Sequence, residues 1–310
     1  IKQVTITYYN SRKENKGKIT FFIVSPNKIS KPVPGFVYFC DYDNVKNIKD
    51  KYKSQKKSNE NNYDIYEIIK RGYAVILLNI SNIAKSDDKN FNSTLFRVYE
   101  YNQKKRPKNA WGILSAWAWG ASRVMDYLET DEDINSDCIG VIGHSRAGKA
   151  ALWCGAQDER FSLTISNNSG CTGAALARGK TGEKIKDINE VWPQWTCENY
   201  NKFNNKEKKL PVDQHMLLAL IAPRNLYVAS ASEDSWADPK SEFLSCVAAE
   251  PVYNLYGYKG LGKKEKPEVG EYIHEGKIGY HLRKGEHDLT LYDWDLYMDY
   301  ADWIFKGEKN

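Results

Sequence analysis

Residues 139–149 read Ile-Gly-Val-Ile-Gly-His-Ser-Arg-Ala-Gly-Lys. An apolar strand-like run ends at Gly143, and a helical pattern opens just after Ser145. A serine at such a junction sits in the setting of a nucleophile elbow, where a sharp strand-to-helix turn exposes the hydroxyl. The glycines let that turn pack tightly. The second glycine, Gly148, stands one place later than in the usual G-x-S-x-G. An alternative local reading is a serine N-cap on an ordinary helix. The N-terminus of the helix favours negative charge in either case, through free N–H groups and the helix dipole.

Working outward, strands and helices alternate. Residues 4–9 and 18–25 have the period of antiparallel strands, joined by a polar turn. Buried strands are expected at 36–40, 73–80, 139–143, 161–166, 225–231 and 278–283. A long helix is expected at about 108–129, with Trp111, Leu114, Ala118, Ala121, Met125 and Leu128 on its apolar face. Further helices are expected at 145–156, 211–221, about 239–248 and about 291–305. The Lys/Asn/Ser-rich stretch 43–63 reads as a solvated insertion loop. Alternating strands and helices imply an α/β fold, a mostly parallel central sheet with helices on both faces, and an elbow of this type marks it as an α/β-hydrolase. With no internal repeat and no Gly/Pro-rich linker, residues 1–310 read as a single domain.

Composition narrows the function classes. The 310 residues are 41% apolar and 27% charged, an ordinary globular balance. No run of about 18 apolar residues exists, so no membrane association is expected. A net charge of +5 without a basic stripe argues against nucleic acid. The chain opens at Ile1 with neither an initiator methionine nor a signal-peptide pattern, which reads as a processed or trimmed chain. Six cysteines, at 40, 138, 154, 171, 197 and 246, contain no C-x-x-C pair, so no metal site is expected. Their even number permits disulfides, and buried free thiols are at least as compatible with the spacing. Nine tryptophans and 21 tyrosines are a high content; most are expected in the core, and a surplus near a cleft would suit stacking on sugar faces.

A serine nucleophile needs a base. His144 flanks Ser145 and is expected to point away; His215 lies on an apolar helix face, His274 in a polar loop and His281 inside a strand. His287 follows the last strand and precedes the last helix, where this fold carries its base, in the chain order Ser, acid, His. The acid is expected after the strand 225–231, in Ser-Glu-Asp-Ser-Trp-Ala-Asp-Pro. Asp234 has the fitting distance from the strand end. Asp238 is read as the start of the next helix, with Pro239 in its first turn. Arg146 can offer its backbone N–H and its cation to an oxyanion. Lys149 lies on the same helix face as Ser145, although by itself it reads as a solvated lysine.

The chain resembles the glucuronoyl esterases, carbohydrate esterase family 15, in the form common in bacteria. The matching strings are 143–153 (Gly-His-Ser-Arg-Ala-Gly-Lys-Ala-Ala-Leu-Trp), 158–171, 210–224, 227–239 and 278–283. The resemblance runs from about residue 65 to the end. It implies an exported enzyme that cleaves esters of (4-O-methyl)glucuronic acid, with lignin–carbohydrate esters of glucuronoxylan as substrate. It implies Ser145 as nucleophile, His287 as base, Arg146 at the oxyanion and Lys149 on sugar hydroxyls. Glu183 and Trp236 match further sugar-contacting positions, and Trp195 is a weaker candidate for the cleft. No cofactor is implied, and a monomer is expected. Many fungal members carry the acid as a Glu at the place of Asn168, which cannot serve. They also carry cysteines where this chain has His144 and Asp288. Other readings are an acetyl xylan esterase, against which Lys149, Glu183 and Trp236 speak, a peptidase domain, or a non-catalytic polysaccharide-binding module.

Overall fold

The computed structural model describes residues 1–27, 30–40, 65–100 and 105–307. The expected insertion loop at 43–63 therefore lies outside the described residues.

Among the described residues nine strands form one sheet: β1 (Lys2–Tyr9), β2 (Lys16–Val24), β3 (Val33–Cys40), β4 (Ala74–Asn79), β5 (Ile134–His144), β6 (Leu163–Asn167), β7 (Asn225–Ala231), β8 (Tyr272–Ile273) and β9 (Ile278–Arg283). Their spatial order is β1-β2-β4-β3-β5-β6-β7-β9-β8. From β4 to β9 every pairing is parallel; β1, β2 and β8 run antiparallel at the two sides. The central strands β4, β7 and β9 are buried along their whole length, which is why they read as continuous runs instead of alternating ones.

The helices are α1 (Ile65–Lys70), α2 (Thr94–Tyr99), α3 (Ile113–Leu128), α4 (Arg146–Gln157), α5 (Ile185–Val191), α6 (Gln214–Ala219), α7 (Pro239–Leu255) and α8 (Leu291–Ala301). Successive strand residues face opposite sides. Val37, Phe39, Ile76 and Leu78 thus join the core under α3, with Trp117, Ala121 and Met125. Phe36, Val75, Leu77 and Ile165 join the other core, under α8, with Trp294, Tyr297 and Met298. This is the layered α/β-hydrolase architecture expected from the alternation. No helix among the described residues is long and apolar enough to cross a membrane.

The boundaries differ from the sequence expectation where tertiary contacts intervene. The helix expected from 108 starts at Ile113, because Gly112 is extended (φ −98°, ψ −173°) and the N–H groups of Ile113 and Leu114 donate to the carbonyls of Gln194 and Trp195. Trp111 consequently precedes the helix; its Nε1 donates to Glu100. The helix expected at 211–221 is the shorter α6, since Asp213 caps it and also accepts the N–H of Ala177 at 2.7 Å. Helix α7 continues past Pro251 to Leu255, and α8 passes into a π-helical turn at Asp302–Lys306. The short elements α1, α2, α5 and β8 carry too little periodicity to be legible in sequence.

Trp117 is fully buried at the centre of the α3 layer, and its indole N–H donates to the Ala84 carbonyl at 2.8 Å. Trp117→Ala is expected to lower stability by about 3–5 kcal/mol, measurable as a shift in urea midpoint at unchanged slope.

Candidate active site

Strand β5 ends at His144 and α4 begins at Arg146, so Ser145 alone makes the turn, at φ 57° and ψ −125°. A non-glycine residue held there costs on the order of 1–3 kcal/mol and persists only when its surroundings enforce it. They do. The Ser145 N–H donates to the Asn167 carbonyl at 2.9 Å, and its own carbonyl accepts from Gly148 N at 2.9 Å. A Cβ at Gly143 would meet the Ala147 carbonyl oxygen at 2.1 Å, so the helix passes directly over that glycine. Gly148 packs less tightly, against the Gly143 carbonyl and Ser169, 3.0 and 3.1 Å from its would-be Cβ. The later second glycine thus serves close packing with the loop after β6, while Ala147, 6% exposed, fills the place next to it.

Asp234 and His287, the expected acid and base, lie in the loops after β7 and β9. Asp234 Oδ2 lies 2.6 Å from His287 Nδ1 and accepts the Asn168 side-chain N–H at 3.0 Å; Oδ1 accepts Ala237 N at 3.1 Å. Burial raises the carboxyl pKa, but the His287 hydrogen bond and charge, Ala237 and Asn168 outweigh it, leaving the group below the ordinary value. An ionised Asp234 is an acceptor only, so His287 carries its proton on Nδ1 and presents a free Nε2 lone pair. The His287 side chain is 45% exposed, the Asp234 side chain 4%. Asp238 does what its Pro neighbour suggested: at φ 64° it caps α7 through Ser241 N and Oγ, and also accepts Thr181 N. Asn168, at the place of the fungal acid, is a second neighbour of the Asp234 carboxylate.

The side chains expected to meet a sugar are tied into one wall. Lys149 is 5% exposed and donates to the carbonyls of Ser169, at 2.7 Å, and Cys171, and to Glu183 Oε2 at 3.2 Å. It is not the solvated lysine that a helix surface suggests. Glu183 N donates to the Trp236 carbonyl at 3.0 Å, which hangs the Glu183 loop on the loop of Asp234. The Trp236 ring is 57% exposed. Trp195 lies elsewhere: it is 6% exposed, stacks on Trp192 at 4.9 Å and donates to the Ser86 carbonyl, so it belongs to the packed core and not to an open cleft. Arg146 stands half-buried at the first turn of α4, where backbone N–H groups lack helical acceptors. Among the described residues no group of three or more His, Cys, Asp or Glu is placed to hold a metal ion, and none of the six cysteines is in a disulfide.

His144 does not point away from the site. Its ring lies 4.6 Å from that of His287. Its Nδ1 lies 2.6 Å from Asn167 Oδ1. The amide orientation of Asn167 is set by donation from Nδ2 to Asp293 Oδ1 and to the Tyr297 hydroxyl. His144 is therefore the Nδ1–H tautomer. Asp293 goes on to bind His281 Nε2 at 2.8 Å, and Tyr227 OH joins His281 to His274. Hydrogen bonds thus link three of the five histidines, His144, His281 and His274, and His287 touches His144 by ring contact; the members come from separate strands, loops and α8, so no local signal betrays the network. Nearby, Glu242 is fully buried; it accepts from Ser230 Oγ and Gly170 N, and burial pushes its pKa up to about 7.

Comparison with known proteins identifies the family of the chain. Residues 62–257 match the family described as glucuronyl esterase, fungi. A carbohydrate esterase from an unknown prokaryotic organism is 47% identical over 247 residues, which is 79% of this chain and 56% of that protein. The 4-O-methyl-glucuronoyl methylesterase 1 of Phanerochaete chrysosporium is 37% identical over 153 residues, 46% of this chain and 32% of that protein. The chain thus spans about half or less of the curated relatives it matches. Among solved structures, the glucuronoyl esterase from Solibacter usitatus superposes with a TM-score of 0.86 at 35% identity, covering 98% of this chain and 82% of the other. A promiscuous carbohydrate esterase family 15 enzyme from a marine bacterial metagenome gives 0.82 at 38% identity, covering 97% and 80%.

Burial and the neighbouring His287 lower the pKa of His144 to about 4. The unfolded chain takes that proton near 6.5, so acidification from about 6.5 to about 4 protonates the unfolded state first and removes stability. His144→Gln does not titrate. Its urea stability is expected to fall less than that of the wild type between pH 7.5 and 4.5, by an amount on the order of 3 kcal/mol. Parallel pH curves for the two proteins would contradict the neutral assignment.

Proposed function

The chain belongs to the glucuronoyl esterase family, carbohydrate esterase family 15, and from that membership we propose that it is an exported serine esterase that hydrolyses alkyl and aryl, lignin-type esters of (4-O-methyl)glucuronic acid on glucuronoxylan. The observation that carries the reading is the 2.6 Å Asp234–His287 contact, with the His287 ring 4.6 Å from that of His144, the residue that precedes a serine held in a strained elbow. Lys149, Glu183 and the exposed Trp236 support a sugar-facing wall next to it, which removal of an acetyl group does not call for.

The mechanism is a two-step acyl transfer. His287 Nε2 takes the Ser145 proton as Oγ attacks the uronate carbonyl carbon. The oxygen that becomes negative is met by N–H groups at the start of α4 and by the Arg146 cation. His287, now an imidazolium bonded to the Asp234 carboxylate, protonates the departing alcohol. Water then repeats the sequence on the acyl-enzyme, with His287 again as base, and frees the uronic acid. The packed neutral ring of His144 adds no positive charge beside the imidazolium.

Ser145→Ala is expected to lower kcat on benzyl glucuronate by about 10⁴–10⁶ with the fold retained. A variant keeping more than about a tenth of the wild-type rate would rule out the nucleophile.

The acid is tested by separating Asp234 from Asp238. Asp234→Asn is expected to cost up to about 10⁴ in rate, because the amide favours the wrong imidazole tautomer. Asp238→Asn is expected to cost mainly stability, about 0.5–2 kcal/mol through the α7 cap. Since Asn168 and His287 share one Asp234 oxygen, adding Asn168→Glu to Asp234→Asn is expected to restore activity in part. A double variant no faster than Asp234→Asn would show that a carboxylate at 168 cannot reach the imidazole.

A further inference from the structure

Residues 284–290 join β9 to α8 with neither helix nor strand, yet they carry His287. Carbonyl groups in such a loop need donors when they leave water. One side chain supplies them. Arg283 Nη1 donates to the Lys284 carbonyl at 3.1 Å, and Nη2 donates to the carbonyls of Glu286 at 2.7 Å and Asp288 at 2.6 Å. Two of those acceptors bracket His287 in sequence. The Arg283 side chain is 5% exposed, and its Nε lies 3.0 Å from Oδ2 of the fully buried Asp293. That same oxygen accepts the N–H and hydroxyl of Thr290, both at 2.7 Å, at the start of α8. The backbone extends the join to the acid's loop: Ser232 N donates to the Arg283 carbonyl and Glu233 N to the Gly285 carbonyl, each at 2.9 Å.

We propose that Arg283 is a positioning residue for His287, its buried fork fixing the loop so that the imidazole meets Asp234 and Ser145 together. It touches neither substrate nor reacting atoms. The inference rests on His287 being the base of the reaction proposed above. A guanidinium suits the task because its planar donors reach several carbonyls at once, which a single ammonium on a flexible stem does not. Displacement of a catalytic group by about 1 Å costs on the order of 10²-fold in rate.

The test uses Arg283→Lys and Arg283→Ala in the full chain, assayed on benzyl glucuronate and on p-nitrophenyl acetate, with thermal melting as a control for folding. Arg283→Lys is expected to lose about 10²-fold in kcat on both esters with KM little changed, since proton transfer suffers and binding does not. Guanidinium at sub-denaturing concentration is expected to restore most of the lost kcat of Arg283→Ala, and methylammonium is not. A folded Arg283→Lys with wild-type kcat, or a loss seen wholly in KM, would overturn the proposal; so would a folded Arg283→Ala that guanidinium leaves unrescued. If Arg283→Ala does not fold, the kcat and KM of Arg283→Lys decide alone. The acetate arm keeps the two readings apart: a wild type that cleaves the acetate and not the glucuronate overturns the proposed substrate, while the Arg283 comparison still stands on the acetate.

Discussion

The hydrogen-bonded register of four parallel strands places His144, Asn167, Ala229 and His281 in one row across the sheet. Every group of the candidate site leaves the sheet from at or just beyond that row. Ser145 follows His144, Asn168 follows Asn167, Asp234 comes shortly after the end of β7 and His287 shortly after the end of β9. A shift of one residue in any of these pairings would turn the side chains of the row to the opposite face and separate the groups that follow. The register is held by burial on both faces, because β7 and β9 have no exposed residue to offer to water.

Within that frame the site is built on polar groups that the core would otherwise reject. Asp293 has no exposure, and it survives as a carboxylate because His281, Arg283, Asn167 and Thr290 all converge on it. Burial raises its pKa and these partners bring it back below the ordinary value. A network of this kind is stable only when its members are satisfied together. The loop of His287, the helix α8 and the row of strand-end side chains thus share one anion.

A similar economy governs the wall that carries Lys149, Glu183 and Trp236. Lys149 and Lys180 spend their donors on backbone carbonyls, Lys149 on Ser169 and Cys171, Lys180 on Trp236 and Ala237. Both ammonium groups thereby organise loops as well as charge. Lys180 is lowered by burial despite the acidic groups around it. A lysine that looks like a solvated helix residue in one dimension is here a strut between the elbow helix and the loop after β6.

The sequence by itself determined the alternation of strands and helices, the elbow at Ser145, the placing of Asp234 after β7 and of His287 after β9, and the family. All of these are local patterns or ordered strings, so periodicity and chain order suffice to read them. It did not determine that His144 lies against His287, that Lys149 is buried, that Trp195 is packed in the core, or that Asp293 gathers Asn167, His281 and Arg283. The contacts that decide these join separate elements, as with Asn167 and Asp293, 126 positions apart along the chain. Only the pairing of parallel strands, each separated by a helical crossover, brings such groups within hydrogen-bond reach, and no short-range preference encodes that meeting.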